Sequence, residues 1–161
     1  MKLALTMCAL AAVATAAVAD NRHNITRYAT NLETYQEVPA LSTPASGRFR
    51  AVLNERDQTI EYELSYTGLS SAVAQAHIHF GQRGVNGGIM VFLCSNLGNG
   101  PAGTQACPGP TQGSVSGTLA PADVIGPAGQ GIAAGEFAEL VAALRRGVAY
   151  ANVHTANFPG G

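Results

Sequence analysis

Hydrophobic and polar residues alternate with period two over much of the chain. From Gly47 to Leu53, Phe49, Ala51 and Leu53 fall on one face and Arg48 and Arg50 on the other. After the polar link Asn54-Glu55-Arg56-Asp57-Gln58, Thr59 to Tyr66 alternates again, with Ile60, Tyr62, Leu64 and Tyr66 opposed to Glu61, Glu63 and Ser65. Two alternating runs around a short polar link predict a β-hairpin with its apolar positions turned inward. The outward arginines and glutamates are placed to pair across it, for about 0–1 kcal/mol when exposed.

Shorter strands are predicted at Arg27 to Thr34, Ala74 to Phe80, Ser114 to Leu119 and Val148 to Thr155. Gly88 to Leu93 is apolar throughout and reads as a central strand, because strands covered on both faces lose their alternation. Glycine-rich Gly81 to Gly88, with Asn86-Gly87, predicts a tight turn. One helix is expected, at about Gly135 to Arg146. Phe137, Leu140, Val141 and Leu144 recur at helical spacing, acidic residues sit near its start, Arg145-Arg146 lie in its last turn, and Gly147 follows its end. Many short strands and one helix predict an all-β sandwich or barrel in one domain.

The first nineteen residues are set apart from that fold. Lys2, the apolar stretch Leu3 to Val18 and the small residues of Ala17-Val18-Ala19 read as a secretory signal peptide cleaved after Ala19, leaving a domain over 20–161. A membrane anchor is the alternative, against which the run is short and alanine-rich. Secretion or transfer to a periplasm is therefore expected, with no membrane span after cleavage. The remaining chain has eight arginines, no lysine and ten carboxylates, a formal charge of −2. This excludes a bulk electrostatic nucleic-acid binder. Two cysteines remain, Cys94 and Cys107, and an even count in an exported chain suggests one disulfide. A metal–thiolate pair is the rival reading.

The candidate chemistry is histidine. His77 and His79 stand at i and i+2 of one strand and share a face. His154 joins them if its strand lies alongside. Three imidazoles with an open coordination position suit copper or zinc, and proton competition is expected below about pH 6.5, the unperturbed imidazole value. The alternative is a polar hydrogen-bonded cluster near Asn152. His23 stays unassigned. Gly81 to Gly88 lacks the lysine of a phosphate loop, and Glu61 with Glu63 resembles a solvated pair more than a glycosidase pair.

Several blocks resemble the CHRD domain family, named for repeats in chordin. They are Leu32 to Pro39, Leu64 to Leu69, Ala76-His77-Ile78-His79-Phe80-Gly81, Gly84 to Gly88, and Tyr150-Ala151-Asn152-Val153-His154-Thr155 followed by Phe158-Pro159-Gly160-Gly161. The resemblance implies an immunoglobulin-like β-barrel with limited similarity to copper/zinc superoxide dismutases, whose copper site also uses a His-x-His strand. It implies no established activity. Members continue after Pro-Gly-Gly with a further strand, whereas this sequence stops at Gly161, so an unpaired sheet edge is expected. Two functions stay open: an extracellular binding module whose partner is a metal ion or an unknown extracellular protein, and a dismutase-type metalloenzyme. The binding module is favoured, because no acid, base or nucleophile accompanies the histidines, and Arg83 alone is placed to steer an anion.

Overall fold

The computed structural model describes residues 24–161. The expected signal peptide and His23 lie outside them. Seven strands form two antiparallel sheets: β1 (Ile25–Glu33), β2 (Ser46–Asn54), β3 (Thr59–Thr67), β4 (Val73–Phe80), β5 (Gly88–Ser95), β6 (Gly113–Leu119) and β7 (Ala149–Thr155). The larger sheet runs β1-β2-β3-β6 and the smaller runs β5-β4-β7. The expected all-β sandwich is the architecture found.

The hairpin forms in the register that the alternation predicts, with Phe49 opposite Leu64, Ala51 opposite Tyr62 and Leu53 opposite Ile60. All six are buried and pack in one core with Ala76 and Ile78 of β4 and Val115 and Leu119 of β6. On the outer face Arg50 stands opposite Glu63, 3.9 Å apart and more than half exposed on both sides, so the pair adds little. Arg48 stands opposite Ser65 and Glu61 opposite Val52, so the second expected pair is not in register.

The single α-helix among the described residues, α1 (Phe137–Arg146), ends at Gly147, whose φ of 66° is the left-handed cap that glycine adopts without strain. Phe137, Leu140, Val141 and Ala143 are its buried residues. Leu144, expected in that set, is only half-buried, because it lines a cleft of about 380 Å³ between β1 and β7.

β5 is an edge strand, not the central one its apolar run suggested; β4 is central. The run has another cause. The outer edge of β5 is covered by chain that is not strand: Ile125 N donates to Met90 O at 2.9 Å and Ser95 N to Gln105 O at 2.9 Å. The segment carrying Gln105 is tied down by Cys94 and Cys107, whose sulfurs stand in disulfide geometry with Cα atoms 5.0 Å apart. The Tyr62 hydroxyl adds a bond to Leu93 O at 2.6 Å and accepts one from Gln105 Nε2 at 2.8 Å. Covered on face and edge, β5 reads as a buried strand.

Candidate metal centre

Ala76 and Ile78 of β4 point into the core, so His77 and His79 occupy the opposite, outer face of the small sheet. That face is nonetheless closed to water. His77 is 0% exposed, His79 7% and His154 5%. Two irregularities produce the cover. The β4–β5 register shifts between Ala76 and His77 and again between Ile78 and His79. Each shift admits an extra β5 residue and re-aims its neighbours. Phe92 thereby comes opposite His77 and meets its ring edge-on, centroids 4.3 Å apart. On the other side Tyr150, opposite His79 in the β4–β7 register, stacks on that ring at 5.1 Å with planes 10° apart.

Two loops supply the rest. The turn after β4 brings the Gly87 carbonyl to His79 Nδ1 at 2.9 Å, and the Gly87 N–H donates to the Tyr150 hydroxyl at 2.9 Å. Only glycine serves there, since a Cβ at position 87 would lie 1.8 Å from the Phe80 carbonyl oxygen. The turn after β7, held by Thr155 N to Phe158 O at 3.1 Å, brings the Pro159 carbonyl to His154 Nδ1 at 3.1 Å.

These carbonyls fix the tautomers. A carbonyl only accepts, so each Nδ1 carries the hydrogen, and Nε2 of each neutral ring carries a lone pair. The two Nε2 atoms face each other at 3.2 Å. Neither has a hydrogen to give the other, so the contact is a pair of converging lone pairs. Two metal–nitrogen bonds of about 2.0–2.1 Å, meeting near the tetrahedral angle, place their nitrogens about 3.3 Å apart. His77 completes the group, its ring centroid 4.8 Å from that of His154 and 5.3 Å from that of His79. The three ligand nitrogens all lie within 4.8 Å of one another. Against the tetrahedral spacing of about 3.3 Å, closure on one ion asks a movement of up to about 1.5 Å. Neither nitrogen of His77 has a hydrogen-bond partner.

Burial keeps the rings neutral. It is the largest cause lowering the His77 pKa to about 3, with the charges of His154 and His79 acting the same way. Burial and then His79 lower the His154 pKa to about 4, against its bond to Pro159. His79 is lowered by burial, opposed by its bond to Gly87. Protons therefore compete for these nitrogens below the pH of about 6.5 expected of free imidazole, for His77 and His154 well below it. Neutral imidazole is the ligand form, and the donor set fits copper or zinc.

His77, His79 and His154 are thus brought together as their spacing suggested. Glu61 and Glu63 are far from any such cluster in character, both exposed on the large sheet. Arg83 is exposed in the turn after β4 and lines the cleft between β1 and β7. The Gly87 and Pro159 carbonyls, Phe92 and Tyr150 were not foreseen as parts of the site. A backbone carbonyl has no side-chain signature, although Asn86-Gly87 and Phe158-Pro159-Gly160-Gly161 mark where the turns fall.

No curated protein and no solved structure matches the chain. A family model does: that of the CHRD domain, matching residues 28–161, which include every strand from the middle of β1 and all three histidines. The chain belongs to the CHRD domain family.

Proposed function

We propose that this chain is an exported binding domain that holds one transition-metal ion, copper or zinc, on His77, His79 and His154. The observation that carries the reading is the 3.2 Å approach of two lone-pair nitrogens inside a dry, neutral cluster. Without a cation between them the arrangement is repulsive. With one it is a ligand pair. The ion would supply a Lewis-acidic centre, and the chain supplies orientation: Gly87 and Pro159 hold two rings in the ligating tautomer, Phe92 and Tyr150 hold the ring planes, and burial shields the cluster from bulk solvent.

Export is supported by the signal-like first nineteen residues and by the Cys94–Cys107 pair, which belongs to an oxidising compartment. Among the described residues no helix is long and apolar enough to cross a membrane.

Titration of the metal-free protein with zinc and with copper, against a chromophoric chelator, tests the reading. One equivalent of tight binding is expected, lost in His79→Ala and in His154→Ala. Binding that survives both substitutions would contradict it.

A further inference from the structure

Beyond the three imidazoles, one more buried polar atom on the same face has no partner: Oδ1 of Asn152. Asn152 stands directly opposite His77 in the β4–β7 register and two residues before His154, so its side chain shares their face. It is 3% exposed. Its orientation is determined. Nδ2 donates to Glu37 Oε2 at 3.2 Å, and a carboxylate only accepts. Gly161 packs over the amide, where a Cβ would come 2.1 Å from Nδ2 and 2.6 Å from both Cγ and Oδ1. The oxygen is therefore turned away from Glu37 and buried without a donor.

Of the four buried side-chain atoms without a partner among the described residues, three belong to opposed residues of one face, both nitrogens of His77 and the amide oxygen of Asn152, and the fourth is the Tyr28 hydroxyl on β1. Buried polar groups are nearly always satisfied, and an exception calls for a missing ligand or a functional role. A bare ion on three imidazoles would take one nitrogen of His77 and leave the other, and the amide oxygen, without a partner. A hydrated ion also satisfies the amide oxygen, because its water has a hydrogen for that oxygen.

We propose that Asn152 is the fourth functional group of the site, its amide oxygen accepting a hydrogen bond from a water held at the position the imidazoles leave open, with Glu37 as the positioning residue that sets the amide. This rests on reading the triad as a metal site. Asn152 then decides what can occupy the open position: a ligand that donates a hydrogen bond is favoured over one that cannot.

Cobalt(II), whose visible bands report its ligand shell, is the probe, added to the metal-free protein and to Asn152→Leu and Glu37→Gln. The wild type is expected to bind one equivalent. Asn152→Leu should bind about 10–100-fold more weakly, the usual effect of losing an outer-shell partner, with shifted visible bands. Glu37→Gln, at a half-buried position that spares the fold, should give a smaller loss and the same direction of band shift, because a glutamine amide no longer imposes one orientation on Asn152. Bands and affinity unchanged in both variants would overturn this proposal while leaving the metal site intact. A wild type that binds neither cobalt nor zinc would overturn the metal reading and this proposal with it.

Discussion

His79 and His154 present Nε2 to Nε2 at 3.2 Å while each ring gives its Nδ1 hydrogen to a backbone carbonyl, of Gly87 and Pro159 respectively. The two contacts on the far sides of the rings decide the chemistry of the contact between them. If either Nδ1 lost its carbonyl, that ring could change tautomer and donate to the other, and the pair would become an ordinary hydrogen bond.

Nitrogen-15 correlation spectra of the metal-free protein at pH 7 should therefore show both rings neutral with the hydrogen on Nδ1. A spectrum with the hydrogen on Nε2 of either ring would mean that the pair is a hydrogen bond and not a preformed ligand pair.

The stability of the metal-free protein should depend on pH through the same rings. Above about pH 6.5 they are neutral folded and unfolded, and contribute no pH dependence. Below it the unfolded chain takes up protons that the folded chain refuses, since the folded values are lowered, to about 3 for His77 and about 4 for His154. Stability should fall as pH drops from 6.5 toward 3, where the folded rings also charge. Thermal melts from pH 7.5 to 4.5 measure it, and His77→Leu should flatten the slope. A melting temperature constant from pH 6.5 to 4.5 would contradict the buried, neutral state. Proton competition for the metal should likewise set in below the pH expected of free imidazole, since all three rings are lowered.

Gly87→Ala should damage fold and site together. The added Cβ overlaps the Phe80 carbonyl, so the turn must move, at a cost of about 1–3 kcal/mol for overpacking. The carbonyl that orients His79 moves with it, and metal affinity should fall about 10–100-fold. Chemical denaturation and a zinc titration on the same sample check both halves. A destabilised variant with unchanged affinity would show that Gly87 serves the fold alone.

The hairpin, the helix with its cap and the histidine strand were legible because each rests on local periodicity. Ile60, Tyr62, Leu64 and Tyr66 declare their face two residues at a time, and His77 and His79 declare theirs in the same way. What was not legible depends on chain that returns from a distance. β5 looks central because Ile125 and Gln105 cap its edge. The outer face carrying the histidines looks solvated, yet it is roofed by Phe92, the Gly87 turn and the Pro159 turn. Register shifts in β5 are invisible to alternation because the run is apolar at every position. Leu144 fits the helical stripe, but that stripe extends past the core to the rim of a cleft.

The Cys94–Cys107 crosslink closes a loop with a sequence separation of 13, worth about 3 kcal/mol in the chain-entropy model. The mature protein, purified without reductant, should show one linkage and no free thiol by mass spectrometry. Replacing both cysteines by alanine should cost at least that much, since Cys94 is also fully buried in the core. Two alkylatable thiols in the unreduced sample would contradict the crosslink.

The most direct measurement of the central claim is X-ray absorption at the zinc edge of protein loaded with one equivalent. The account predicts a first shell containing three imidazole nitrogens at about 2.0–2.1 Å, reduced to two in His77→Ala. A shell of oxygens alone, or one unchanged by His77→Ala, would contradict it.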